Sequence, residues 1–163
     1  MELRKINLRD AAAQWEYTAA LPADENGLTN PYHGVSYDEY VESVLPTLIS
    51  YEHPVHMPDW FVPETYYYLW DEGQLVGEFR IRHHLTEALR HGAGHIGYSI
   101  RRDDRGKGYG TAGLKLAIEA ARKIIPEDAG GNRSLKVKER FPPDPLPRNH
   151  KSQSVYYLAK TIT

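Results

Sequence analysis

The chain has 163 residues and a formal net charge of −2, long enough for one domain with a core. It holds no cysteine, which excludes disulfides, thiolate metal sites and a cysteine nucleophile and suits a reducing cytoplasm. No run of about 18 apolar residues, no secretory-type leader and no broad basic face is present, so the expectation is a cytoplasmic protein that engages neither membrane nor nucleic acid.

Met1 to Asn7 reads as a short strand. Asp10 is placed to cap a helix to about Leu21, with Ala11, Trp15, Thr18 and Ala19 near one face. Pro22 to Gly34 is a loop rich in Asn, Gly and Pro. Ser36-Tyr37-Asp38-Glu39 is a capping-box pattern that opens a helix to about Ser50, which Pro46 would kink or divide. His53 to Pro63 is a proline-punctuated loop carrying Trp60 and Phe61.

Thr65 to Trp70 is an aromatic strand and Asp71-Glu72-Gly73 a turn. Leu75 to Arg82 alternates, with Leu75, Gly77, Phe79 and Ile81 facing one way and Val76, Glu78, Arg80 and Arg82 the other. Residues 84–92 make one or two helical turns. Gly94 to Ile100 is the next strand, with Ile96, Tyr98 and Ile100 on one face. After Arg101 to Asp104 comes Arg105-Gly106-Lys107-Gly108-Tyr109-Gly110-Thr111, then an amphipathic helix in which Leu114, Ala117, Ile118, Ala121 and Ile124 repeat at helical spacing. From 126 to 153 the chain is irregular and rich in Pro and Gly. Within it Ser134 to Phe141 fits a short helix, and beyond it Val155 to Ile162 fits a last strand.

Strand, glycine-rich turn, helix is the pattern of a phosphate cradle. Glycines let the backbone approach a ligand and take positive φ. The first amides of the following helix point outward without partners, with the positive end of the helix dipole behind them. Charge along the chain agrees. Residues 80–107 hold seven Lys and Arg, three Asp and Glu and four His, a positive region around the turn. From Asp10 to Phe79 there are thirteen Asp and Glu and no Lys or Arg, an acidic lobe that either serves solubility or favours a cationic partner.

Arg105-Gly106-Lys107-Gly108-Tyr109-Gly110 between a strand and a helix resembles the acyl-CoA motif of the GNAT superfamily of N-acetyltransferases. Asn26 to Tyr32, Val62-Pro63-Glu64-Thr65 to Trp70, Val76-Gly77, Arg82-His83 and Gly94-His95-Ile96-Gly97-Tyr98 resemble a bacterial branch of it, over roughly residues 1–128. The resemblance implies an α/β (α+β) fold with a mixed, mostly antiparallel central sheet flanked by helices, in a single acetyltransferase domain spanning residues 1–163. The family's fifth strand is reduced or missing here, since Asp128 to Gly131 has the wrong composition for one.

The resemblance also implies acetyl-CoA as cosubstrate, with no metal and an amine as acceptor. Backbone groups around Tyr98, Ser99 and Ile100 would pair with pantetheine. The amides from Arg105 to Thr111, namely those of Arg105, Gly106, Lys107, Gly108, Tyr109, Gly110 and Thr111, would hold the pyrophosphate, with Lys107 adding charge and Arg101 or Arg102 meeting the 3′-phosphate. The chain lacks a tyrosine acid between Asn132 and Arg140, a gap that Tyr156 and Tyr157 are candidates to fill.

Direct acetyl transfer needs a base near the amine and a donor for the departing thiolate. Glu78 is the first candidate base, with a salt bridge to Arg80 or Arg82 as the competing role. His95 is either a second base or a hydrogen-bonded core histidine. Tyr98 is a thiolate or oxyanion donor or a packing residue. Tyr32, Trp60, Phe61 and Tyr66 would shape the pocket for a small-molecule or peptide amine, including by cation–π contact, or pack the loops. Two other readings compete. One is a non-catalytic acyl-CoA-binding module. The other is an interaction domain that pairs two copies through an open sheet edge as a homodimer.

Overall fold

The chain opens with strand β1 (Glu2–Lys5) and helix α1 (Ala11–Ala20). The computed structural model describes residues 1–25, 28–58, 60–91, 93–125, 135–138 and 158–161. β2 (Asp24–Glu25) and β3 (Leu28–Thr29) form a small antiparallel pair after α1. Helical residues then run from α2 (Tyr37–Glu39) through a π-helical stretch (Tyr40–Val44) into α3 (Leu45–Ser50). β4 (Glu64–Asp71), β5 (Gln74–Arg82), α4 (Glu87–His91) and β6 (Ile96–Ile100) follow. A 3-10 turn (Arg102–Asp104) leads to the long helix α5 (Tyr109–Ile124). β7 (Leu135–Lys138) and β8 (Leu158–Thr161) pair antiparallel with each other. The main sheet is antiparallel throughout, in the order β1-β4-β5-β6, and among the described residues no fifth strand is hydrogen-bonded into it. This is the α/β architecture of a helix-flanked sheet that the resemblance implied, with the described strands of that sheet all antiparallel where a mixed, mostly antiparallel sheet was expected.

Local chemistry explains the helix starts. Ser36 Oγ accepts from the Glu39 amide at 3.3 Å, as a capping box requires. Asp10 does not cap α1 with its side chain. Its amide donates to Asn7 Oδ1 at 2.9 Å and its carboxylate accepts from Asn7 Nδ2 at 3.0 Å, so Asn7 closes that turn. The buried face of α1 is also rotated from the expected one: Ala11, Gln14, Tyr17 and Thr18 are buried, while Trp15 and Ala19 are half-buried. Tyr17 turns inward on this face, where its hydroxyl donates to the Ser99 carbonyl of β6, while Trp15 lies to the side and donates to the Val35 carbonyl. The helical run is divided just before Pro46, where the π-helical stretch gives way to α3. Leu45 donates to the Tyr40 carbonyl, five residues back, and the proline, which has no N–H, sits where that wider register returns to α.

The sheet separates two cores. On one face Tyr17 of α1, Tyr40 of the π stretch and Leu45 and Leu48 of α3 pack on Tyr66, Tyr68 and Trp70. On the other, Leu114, Ala117 and Ala121 of α5 pack on Leu69, Phe79, Ile81, Ile96 and Tyr98. The expected alternation of β5 holds from Gly77 onward but not before it. Leu69 opposes Gly77 and Trp70 opposes Leu75, so Val76 is an extra residue, a β-bulge. Leu75 therefore joins the α1-side core and Val76 the α5-side core, each opposite to the straight-strand expectation. A second correction concerns Leu135 to Lys138, which form strand β7 and not part of a helix, in keeping with their alternating Leu-Lys-Val-Lys sequence. The expected last strand is present at Leu158 to Thr161. Tyr156 and Tyr157 lie outside the described residues.

Candidate functional site

The turn between β6 and α5 has the geometry of an anion cradle. Gly106 (φ 78°) and Gly108 (φ 86°, ψ 0°) both occupy the left-handed region, where a Cβ is disfavoured. Gly108 is the N-cap of α5 and has no side chain to cap with, so the amides of Tyr109, Gly110 and Thr111 face outward at the positive end of a 16-residue helix. Gly110 has a different reason to be glycine. A Cβ there would sit 3.1 Å from the Tyr98 hydroxyl, so the bare backbone lets α5 pass close over β6. Tyr109 anchors the helix start through a hydrogen bond from its hydroxyl to Asp71 Oδ2 at 2.9 Å.

Two cations flank the turn, and one buried carboxylate gathers both. Asp104 accepts from Arg101 Nε at 2.7 Å and from Lys107 Nζ at 3.0 Å. Burial alone would raise the Asp104 carboxyl, but the hydrogen bonds from Lys107 and Arg101 outweigh it and hold it below its ordinary value. Arg105 turns back to donate from Nε to the Ile100 carbonyl at 3.0 Å. Arg102 is exposed.

The ladder between β5 and β6 decides which backbone groups of β6 look outward. Arg82 donates to the His95 carbonyl and Arg101 donates to the Val76 carbonyl, and Ser99 opposes Glu78. In an antiparallel ladder such pairs alternate, so His95, Gly97, Ser99 and Arg101 turn their backbone groups to β5. Ile96, Tyr98 and Ile100 turn theirs away from it. Of the three residues expected to meet pantetheine through the backbone, Tyr98 and Ile100 have the right phase and Ser99 does not. Ser99 contributes differently: its carbonyl accepts from the Tyr17 hydroxyl at 2.9 Å, and its own hydroxyl lies 2.9 Å from the same oxygen.

Tyr17 belongs to a polar cluster on the α1 face of the sheet. Glu78 is buried and accepts from Arg80 Nε at 2.6 Å. The Arg80 guanidinium lies over the Tyr66 ring, 5.0 Å from its centroid, and the Tyr66 hydroxyl donates to Glu64 at 3.0 Å. Burial, followed by the Glu78 charge, pushes the Tyr17 hydroxyl pKa up. Glu78 therefore realises the salt bridge that competed with its role as a base, while facing Ser99 across the strands. His95 is also buried and presents Nδ1 to the Arg82 carbonyl at 2.9 Å, which places its proton on Nδ1 and leaves Nε2 unprotonated. Burial pushes its pKa down, the Arg82 carbonyl opposes, and the nearby Arg90 and Arg82 charges reinforce the fall. Tyr98 is buried in the α5-side core with its ring stacked on Phe79, centroids 4.9 Å apart.

The aromatic residues expected at the acceptor pocket make a chain. Trp60 is exposed and touches Phe61 edge-on at 6.4 Å, Phe61 meets Tyr51 at 5.1 Å, and Tyr51 meets Tyr66 at 6.4 Å. The series runs from the surface to Arg80. Tyr32, packed against the α1-side core, has its hydroxyl pKa pushed up to about 12, first by burial and then by Tyr51.

Residues 36–138 match the model of the acetyltransferase (GNAT) family. The chain belongs to this family. The match takes in the whole of β4, β5, β6, the cradle and α5. No curated protein and no solved structure matches. GNAT proteins use acetyl-CoA as acyl donor, and the left-handed Gly108 with the open amides after it fits a diphosphate. Among the described residues no group of three or more His, Asp or Glu is placed to hold a metal ion, and no helix is long and apolar enough to cross a membrane.

Of the GNAT site residues expected from sequence, the structure brings Arg105 to Thr111 together at one helix start. Glu78 meets Ser99 across β5 and β6, and Tyr66 meets Arg80 and thereby Glu78. Trp60 connects to them only through other rings. Sequence reasoning missed Tyr17, Tyr51 and Asp104. The first two reach the site through tertiary packing that no local pattern records. Asp104 sits beside the motif, and its spacing of three residues to both Arg101 and Lys107 was the signal available.

Proposed function

We propose that this GNAT protein transfers an acetyl group from acetyl-CoA to a primary amine by direct attack. The observation that carries the reading is the start of α5, where Gly108 opens the amides of Tyr109, Gly110 and Thr111 beside the last strand of the sheet. Those amides would hold the diphosphate. The backbone groups of Tyr98 and Ile100, turned away from β5, would pair with pantetheine like an added strand. In the reaction the amine nitrogen bonds to the thioester carbonyl carbon, the C–S bond breaks with its electron pair leaving on sulfur as the coenzyme A thiolate, which ends as the thiol by taking up a proton, and the amine gives up a proton. Glu78, held in place by Arg80, is the proposed acceptor of that proton, directly or through water. The acceptor is a small-molecule or peptide amine whose positive charge suits the acidic residues of the chain's first half and the faces of the Tyr51, Phe61 and Tyr66 rings.

Calorimetric titration with acetyl-CoA tests the cradle. The wild type should bind, and Gly108→Trp should abolish binding. Retained micromolar affinity in that variant would count against the assignment. One observation favours a second reading, a non-catalytic acyl-CoA-binding module: the first candidate base, Glu78, is already engaged by Arg80. Thiol release from acetyl-CoA against a panel of amines separates the two readings, since only an enzyme gives acceptor-dependent release.

A further inference from the structure

We propose that Asp104 is a positioning residue for the diphosphate of coenzyme A, keeping the turn between β6 and α5 in its ligand-ready shape by tying Arg101 to Lys107. The inference rests on reading that turn as the coenzyme A site.

Asp104 spans the turn from the inside. Its amide donates to the Arg101 carbonyl at 2.8 Å, closing the 3-10 turn. One carboxylate oxygen takes Arg101, at the end of β6, and the other takes Lys107, which lies between the two left-handed glycines. The Asp104 side chain is 8% exposed, against 43% for Arg101 and 56% for Lys107. The anion is thus sheltered under the turn while the two cations stay open to solvent, so the value of the tie lies in the geometry it holds more than in ion-pair energy.

Such a tie has a physical purpose here. Gly106 and Gly108 have nothing within 4 Å of where a Cβ would stand, so no side chain of their own fixes the loop. A segment with two glycines loses much conformational freedom when a ligand orders it. A tether that orders it beforehand removes that loss from binding. Charge alone argues for the opposite residue, because a carboxylate next to a diphosphate repels it. Asp104 therefore acts through geometry, and the sign of its effect tells the two apart.

The test is titration of coenzyme A into the wild type, Asp104→Asn, Lys107→Gln and the double variant. Asparagine is nearly isosteric but turns an N–H toward one of the two cations. Positioning predicts that Asp104→Asn weakens coenzyme A about tenfold or more, the scale of losing hydrogen bonds to charged groups. The same change should add little in the Lys107→Gln background, where the tie is already cut. KM for acetyl-CoA should rise with kcat retained at saturation, and inhibition by pantetheine, which has no diphosphate, should not change. Should Asp104→Asn prove unable to fold, Asp104→Glu, which keeps the charge but lengthens the tie, takes its place with the same expected direction. Coenzyme A binding as tight as wild type, or tighter, overturns the proposal, as does an equal loss for pantetheine, which would mark a general structural role. In both cases wild-type binding leaves the coenzyme A site standing. A wild type that ignores coenzyme A removes the site itself and the proposal with it.

Discussion

Glu78 carries two demands that pull apart. As the proposed base it must take up a proton, and as the partner of Arg80 it must stay negative, because a guanidinium only 20% exposed is costly to leave unpaired. The same pairing fixes the carboxylate's orientation. Glu78→Gln keeps an oxygen for Arg80 but removes the proton acceptor. Its turnover should fall by about a hundredfold or more while affinity for acetyl-CoA is kept, read by thiol release and by titration. Wild-type rates in that variant would remove Glu78 as the base. The variant should also unfold at lower denaturant concentration than wild type, since the Arg80 charge loses its counter-ion.

Among the elements, α5 is the most exposed to a single added carbon. A Cβ on Gly113 would run into Phe79 and lie 2.9 Å from Leu69 Cδ2, and Phe79 is itself wedged by its stack on Tyr98. Gly113→Ala should destabilise the protein by about 1–2 kcal/mol in urea unfolding, the overpacking cost exceeding the roughly 1 kcal/mol gained in helix propensity. What could be read from sequence follows the range of each cause. The cradle was legible because its geometry is set by consecutive residues, two glycines and a helix start. The single-face set Ile96, Tyr98 and Ile100 was legible because β6 is regular. The faces of Leu75 and Val76 were not, because a bulge depends on the partner strand. The face of α1 was not, because Tyr17 finds its partner on Ser99, 82 residues away.

At the scale of the whole molecule, two histidines link folding to acidity, His95 buried and His83 half-buried. His83, which shares a hydrogen bond with Thr65 at 2.8 Å, and His95 both have pKa values pushed below 6.5, burial being the first cause for each. Their folded forms are neutral, while the unfolded chain takes up protons as pH falls through about 6.5. Stability from this source is therefore full above that pH and is lost between it and the lower folded values. The midpoint of thermal unfolding should drop as pH is lowered from about 7.5 toward 5, and His95→Gln should flatten part of that slope. A slope unchanged by the substitution would mean that His95 does not contribute.

The bulge in β5 has an effect on how this strand tolerates changes in length. A straight strand shorter by one residue at Val76 would still direct Leu75 to the α1 face and Gly77 to the α5 face, so Glu78, Arg80 and Arg82 would keep their bearings. The reading frame of the hairpin tip is thereby uncoupled from that of the polar cluster, and a deletion that elsewhere in the sheet would turn every side chain over costs here only the Val76 side chain and its hydrogen bond to Arg101.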